Sequence, residues 1–117
     1  MLDETFTIED GALIRRVVPR RGTPYEHACT KRVYDDVAYA IEQFGAATFT
    51  GEMIRDSIDA PHTQVMTAMA FLKERGCIVP ARERRHRAAG DFVYEDALIE
   101  WHALREKGPA DPAFGYE

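Results

Sequence analysis

The chain has 117 residues and a formal net charge of −5, with 45% hydrophobic and 30% charged residues. This length suits one domain with one modest core, and the composition is typical of a soluble globular protein rather than a disordered one. The negative charge argues against coating nucleic acid by bulk attraction. It permits a local basic patch, because salt screens exposed charges within about 8–10 Å.

The N-terminus and the cysteines bear on cellular location. The opening sequence MLDETF is acidic and lacks the basic region and apolar core of a signal peptide. The apolar runs are far shorter than the about 20 residues that a membrane-spanning helix needs. Cys29 and Cys77 show no spacing typical of a disulfide framework. We therefore expect a reduced, cytoplasmic protein that is not associated with a membrane.

The first predicted elements are an N-terminal extension and a long helix. Residues 1–22 form the extension, in which the apolar residues of LIRRVV indicate one short strand. A helix is predicted to follow as far as Gly45, because Thr23 and Glu26 have the spacing of a capping box. Thr30 is a second candidate cap, so the pattern also allows a break there.

The central part of the chain predicts two successive helices. Residues 48–50 indicate a short extended segment, and Thr50 is placed to cap a brief helix that buries Ile54 and Ile58. A further helix is predicted from Pro61 to Arg75. Its core residues follow helical spacing, namely Val65, Ala68, Met69 and Leu72.

The C-terminal part predicts a β-hairpin and a last helix. CIVPAR and DFVYE are typical of two strands that flank the basic loop ERRHRAAG. Residues 95–108 predict an amphipathic helix capped by Asp96, with Trp101 in its apolar stripe. Residues 109–117 predict a flexible tail.

Charge is distributed in segments along the chain. Residues 15–32 and 63–90 are basic, whereas the stretches before, between and after them are acidic. Whether the two basic segments meet depends on the fold. The densest cluster occupies five of six neighbouring positions, namely Arg82, Arg84, Arg85, His86 and Arg87.

The order of these elements, together with TGEMIRDSIDAPHTQVMTAMAFLKERGCI, resembles the winged helix-turn-helix superfamily. Ile54 and Ile58 match buried positions of the first helix of the pair, and LKERGCI matches the usual end of the second. The resemblance covers about residues 23–94. It implies an α+β winged-helix domain over 23–94, preceded by the extension and followed by the helix at 95–108.

In that superfamily the second helix of the pair usually enters the DNA major groove, and the hairpin loop, or wing, contacts the backbone or minor groove. The implied function is therefore sequence-specific DNA binding by a regulator of transcription, with double-stranded DNA as partner. The implied helix contacts are His62, Thr63, Gln64 and Thr67. The implied wing contacts are Arg82, Arg84, Arg85, His86 and Arg87.

Two features keep a different partner open. The helix carries no Arg or Lys between Pro61 and Lys73, and the preceding helix carries carboxylates that would repel phosphate, namely Glu52, Asp56 and Asp59. The alternative is a winged-helix module that binds protein and not DNA. Its apolar contact would consist of Met66, Ala70 and Phe71.

The arginine cluster and the last helix also have two interpretations each. The arginines could form a solvated loop whose charges pair with the same chain, for example with Glu83, Asp91 or Glu95. The last helix could close the domain's own core or form a two-fold homodimer contact. In either case the apolar residues concerned are Leu98, Trp101 and Leu104.

Catalytic and metal-binding patterns are missing from the sequence. It contains no GxSxG, P-loop or dinucleotide-binding fingerprint, and no CxxC or HxxxH spacing. We therefore expect no enzymatic activity, no cofactor and no metal site. A redox-sensing role for Cys77 would need an exposed, electropositive thiol, which a core strand does not offer.

Overall fold

A computed structural model describes residues 3–108, so the predicted tail at 109–117 lies outside the described residues. Within the described range the chain alternates between strands and helices. The strands are β1 (Asp3–Glu9), β2 (Ala12–Val18), β3 (Tyr25–Thr30), β4 (Ile78–Pro80) and β5 (His86–Ala88). The helices are α1 (Lys31–Phe44), α2 (Gly51–Ile58), α3 (His62–Glu74) and α4 (Val93–Lys107).

The first three strands form an antiparallel sheet in the order β1-β2-β3, which we call the N-terminal sheet. Asp10 and Gly11 join β1 to β2 with φ angles of 52° and 75°. Asp-Gly is the residue pair that such a two-residue turn favours, because both positions need positive φ. The predicted extension therefore supplies two strands where one was expected.

The helix predicted to begin at Thr23 is wrong over residues 25–30, which form β3. Cys29 lies opposite Leu13 in the sheet and is fully buried, so its burial follows the two-residue period of a strand. The helix begins after Thr30, whose Oγ1 accepts a hydrogen bond from the Val33 amide at 3.2 Å. The second candidate cap is thus confirmed, and the strand pairing with β2 outweighs the capping box.

The two helices in the middle of the chain lie where the sequence placed them. Thr50 Oγ1 accepts a hydrogen bond from the Met53 amide at 3.2 Å and caps α2. The residues expected to be buried on α3 are buried, and the helix ends within one residue of its predicted end. The short extended segment is also confirmed, because Phe49 pairs with His86 as an isolated bridge.

β4 and β5 pair antiparallel, with Ile78 opposite Ala88, and we call residues 78–88 the arginine hairpin. The predicted return strand DFVYE is wrong, because α4 already begins at Val93. The buried residues of α4 recur at helical spacing, which explains this start; they are Val93, Ala97, Trp101 and Leu104. Asp96 lies in the first turn of α4 and is not its cap.

One hydrophobic core joins the N-terminal sheet to the helices. The rings of Phe6 and Phe71 lie 5.3 Å apart, which packs β1 against α3. The Tyr34 hydroxyl donates a hydrogen bond to the Ala97 carbonyl at 2.6 Å, and its ring contacts Trp101, which fixes α4 on α1. The fold is α+β, as expected, with four helices and two antiparallel sheets in the described range. None of its helices there is long and apolar enough to cross a bilayer.

Candidate nucleic-acid interface

The tip of the arginine hairpin is a tight turn with an unusual backbone. The Arg85 amide donates a hydrogen bond to the Arg82 carbonyl at 3.0 Å, and the Ala81 amide donates to the Arg85 carbonyl at 2.8 Å. The two residues between Arg82 and Arg85 have positive φ, 53° at Glu83 and 67° at Arg84. This region costs a residue with a side chain about 1–2 kcal/mol. The turn is therefore well defined but strained.

The four arginines of this hairpin are exposed and have no carboxylate partner among the residues that the structure describes. In the range 3–108 no carboxylate oxygen lies within 4.0 Å of Arg82, Arg84, Arg85 or Arg87. Only Arg85 is braced, by Thr48 Oγ1 at 3.4 Å and Met53 Sδ at 3.8 Å. The interpretation that these charges pair with Glu83, Asp91 or Glu95 thus finds no support in the described residues.

His86 belongs to β5 and does not lie in the loop. Its backbone exchanges two hydrogen bonds with Phe49, each 2.8 Å long, which holds the ring half-buried. Burial, and secondarily the Lys73 charge, lowers the pKa of His86 below its ordinary value. Its imidazole is then neutral near pH 7, so His86 does not add to the positive charge expected of this loop.

The arginines of the N-terminal sheet are paired, unlike those of the hairpin. Arg16 bridges two carboxylates, with Nε 2.9 Å from Glu26 and Nη1 2.6 Å from Glu9. Hydrogen bonds from Arg16 and then from Thr7 lower the pKa of Glu9 to about 2. Arg15 forms an ion pair with Glu4. Two of the six cations of the first basic segment are therefore neutralised within the sheet.

The N-terminal sheet covers one face of α3. Gln64 Oε1 accepts hydrogen bonds from the Thr30 amide at 3.0 Å and from Thr30 Oγ1 at 3.3 Å. Thr67 is fully buried and its hydroxyl donates to the Thr63 carbonyl at 2.8 Å. Phe71, on the same helix face, is buried against Phe6 of β1.

This cover corrects three of the expected contacts. DNA contacts by Gln64 and Thr67 do not agree with the structure, because Thr30 holds the amide oxygen of Gln64 and Thr67 is fully buried. A protein contact by Phe71 does not agree with its complete burial. The sequence carried no sign of this cover, because it depends on strands that pack against α3 from more than 30 residues away.

The cover is a permanent layer of the fold. Phe6, Leu13 and Cys29 are 7%, 0% and 0% exposed, and they share one core with α1 and α3. Fully burying a large apolar side chain contributes about 1.5–3 kcal/mol. Exposing several of them would cost an amount comparable with the about 5–15 kcal/mol that stabilises a whole domain. The sheet therefore does not swing away without unfolding the protein.

What remains accessible on α3 is a narrow stripe. His62, Thr63 and Lys73 are exposed, Met66 is 39% exposed, and Ala70 is half-buried. A cleft of about 200 Å³ lies along the stripe, between Arg15 of β2 and His86 of β5, with Met69 in its lining. The two basic segments of the sequence thus meet at this cleft, through Arg15 on one side and Lys73 on the other.

The last helix closes the core of its own domain. Trp101 and Leu104 are each 2% exposed, and Leu98 is half-buried. A homodimer contact through Trp101 and Leu104 does not agree with this burial, because their side chains already contact residues of the same chain. The other interpretation, that this helix closes the core of its own domain, agrees with the structure.

The two cysteines are core residues. Burial raises the pKa of the Cys29 thiol to about 12 and that of Cys77 to about 11, so both stay protonated near neutral pH. Such thiols are unreactive, which argues against a redox-sensing role for Cys77. In the part of the chain that the structure describes, no group of three or more His, Cys, Asp or Glu side chains could hold a metal ion.

Comparison with protein-family profiles, with curated proteins and with solved structures returned no match. The geometry is therefore the basis for assigning a function. Among residues 3–108 the densest group of exposed cations without a carboxylate partner lies on the arginine hairpin, and an apolar cleft lies beside it at Met66 and Ala70.

Proposed function

We propose that this protein binds double-stranded DNA through the arginine hairpin and acts as a regulator of transcription of winged-helix type. The observation that carries the proposal is the arginine hairpin, where four exposed arginines lie in and beside a strained turn and have no carboxylate partner among residues 3–108. The order of elements from α1 to β5, including the Phe49 bridge, supports the winged-helix interpretation because it is the order that the resemblance implies.

Arginine suits this role for two reasons. Its planar guanidinium can donate two parallel hydrogen bonds to one phosphate, and it remains charged at any physiological pH. Each phosphate that a cation neutralises releases condensed counterions, so affinity falls steeply as salt increases. Because the whole chain is acidic, we expect binding that is measurable at low salt and weak at physiological salt.

A gel-shift experiment with a mixed-sequence duplex at about 50 mM salt tests this proposal. The informative protein is the triple variant Arg84→Ala, Arg85→Ala, Arg87→Ala. The matched control is Arg32→Ala, Arg105→Ala, Lys107→Ala, which removes three exposed cations from α1 and α4 and has the same net charge.

We expect the control to keep most of the affinity and the hairpin variant to lose at least about 100-fold, because each charged hydrogen bond contributes about 1.5 kcal/mol or more. Circular dichroism confirms that both variants are folded. The proposal fails if the unmodified protein shifts no duplex at this salt, or if the two variants lose affinity equally.

A protein-binding module is the second candidate, and one observation favours it. The N-terminal sheet leaves Met66 and Ala70 beside an apolar cleft while it covers Gln64 and Thr67. This candidate requires that no duplex is shifted at low salt. It also requires a protein partner whose binding is lost in Met66→Lys and kept in the hairpin triple variant.

A further inference from the structure

We infer that α3 does not enter the major groove, and that the hairpin binds duplex DNA through the backbone and minor groove with little regard to sequence. This inference rests on the proposed function, since it concerns how the same hairpin meets DNA. It departs from the expectation of sequence-specific binding, and the departure comes from the position of the N-terminal sheet.

The first reason is that the N-terminal sheet covers one face of α3. A helix with its side chains is about 10–12 Å across and fills a major groove about 12 Å wide. On α3 the N-terminal sheet adds a second layer, held by the Gln64 contact to Thr30 and by the Phe71 contact to Phe6. The face of α3 that carries Gln64, Thr67 and Phe71 therefore cannot approach base edges, and only the exposed stripe from His62 to Lys73 could do so.

The second reason is the chemistry of the stripe that stays exposed. Specific reading of bases depends mostly on Arg, Lys, Asn and Gln, whose side chains can make two hydrogen bonds to one base. Gln64 is the only such residue in the first three turns of α3, and its amide oxygen is occupied by Thr30. The exposed residues His62, Thr63 and Met66 do not replace it.

The third reason is the shape of the hairpin tip. Its end consists of two residues, Glu83 and Arg84, between the hydrogen-bonded Arg82 and Arg85. A two-residue tip with arginines on both sides suits a minor groove about 6 Å wide. That groove shows nearly the same acceptors for both orientations of each base pair, so it conveys little sequence information. Its width varies with sequence, and we expect a mild preference for narrow A·T-rich segments.

Methylation of a bound duplex by dimethyl sulfate tests this inference, because the reagent modifies guanine N7 in the major groove and adenine N3 in the minor groove. The probe is a mixed-sequence duplex with one A-tract, incubated with the full chain at low salt. We expect lower methylation of adenine N3 at the A-tract and unchanged methylation of guanine N7 throughout. Protection of guanine N7 would overturn the inference while leaving the proposed function in place.

A pair of variants gives an independent result. His62→Ala with Thr63→Ala changes the exposed start of α3 and should alter affinity by less than about threefold on every duplex, whereas one base-reading contact discriminates by about 5- to 150-fold. A larger, sequence-dependent loss in this double variant would also overturn the inference. If the unmodified protein retains no duplex at all, the proposed function itself fails, and the gel shift shows this before any methylation is read.

Discussion

The N-terminal sheet and the arginine hairpin are built alike and differ in what their arginines do. Both contain antiparallel strands joined by a turn with two consecutive positive φ angles. In the sheet, Asp10 and Gly11 suit that turn, and Arg16 is bound to two carboxylates. In the hairpin, Glu83 and Arg84 occupy the turn at a cost, and the neighbouring arginines have no carboxylate partner in the described range.

The difference distinguishes the N-terminal sheet, which serves stability, from the arginine hairpin, to which we assign binding. In the sheet the turn residues suit their backbone conformation and the arginines are paired, which is typical of structural regions. The hairpin combines backbone strain with uncompensated like charges, and two such departures at one place indicate selection for something other than stability. This is why we assign binding to the hairpin and not to the N-terminal sheet, whose two arginines are paired with carboxylates.

The largest expected effect concerns the structural role of the sheet. Phe6→Ala removes a buried ring that packs on Phe71, and we expect it to lower the free energy of unfolding by about 3–5 kcal/mol. Urea unfolding measures this. Phe92→Ala, at a residue that is 65% exposed, is the control and should change stability by less than about 0.5 kcal/mol. Equal effects would mean that the sheet is not a layer of the core.

The next effect tests whether the paired arginines serve stability. Arg16→Gln should lower the free energy of unfolding near neutral pH by about 0.5–1 kcal/mol, because both ion pairs are partly exposed. Arg32→Gln is the control, since Arg32 is 90% exposed and 4.0 Å from Asp36.

The same pair of variants predicts a pH dependence. The Glu9 carboxyl has a pKa of about 2 in the folded protein against an ordinary value of 4.5. Its contribution is therefore complete above the ordinary value and is lost as the pH falls towards 2. Urea unfolding across this range should show the unmodified protein losing more stability than Arg16→Gln. Parallel losses in the two proteins would contradict the role given to this ion pair.

A smaller effect concerns the strained turn. Glu83→Asn introduces a residue that tolerates positive φ and removes the negative charge from the tip. We expect a gain of about 0.5–1 kcal/mol in stability and a modest rise in DNA affinity at low salt. The control Glu106→Gln on α4 also removes one negative charge, and it should change neither the stability nor the DNA affinity. A destabilised Glu83→Asn protein would argue against strain at this turn.

The smallest effect concerns the covered face of α3. Thr67→Val replaces a buried hydroxyl that bonds only within its own helix, so DNA affinity should change by less than about twofold. Thermal unfolding reports the accompanying change in stability. A large loss of affinity in a variant that remains fully folded would show that Thr67 does reach DNA, and that the sheet does not block this face.

The elements with strong local signals were predicted correctly. Thr50 and the apolar spacing of α2 and α3 identified both helices. The basic tip was correctly placed after a strand, but its return strand was predicted at DFVYE instead of His86–Ala88. The first hairpin was missed although its signal was present. Asp10-Gly11 between the alternating residues of DETFTIE and the apolar run of β2 is a strong indication of a two-residue turn.

Other features could not be predicted because they depend on distant residues. The capping box at Thr23 predicts a helix, but residues 25–30 pair with β2 and form a strand instead. The bond between Gln64 and Thr30 joins residues 34 positions apart, and it removes a residue from the expected DNA contacts. Whether an arginine is paired or free depends in the same way on which strands lie side by side.

The salt dependence of DNA binding tests the central claim most directly. For the unmodified protein, the logarithm of the binding constant plotted against the logarithm of salt concentration should fall with a slope steeper than about −2, and each phosphate contact contributes about 0.9. In Arg84→Ala, Arg85→Ala, Arg87→Ala the slope should be shallower by about 2–3. A triple variant that keeps the slope of the unmodified protein would show that the hairpin arginines do not contact phosphate, and would contradict the account.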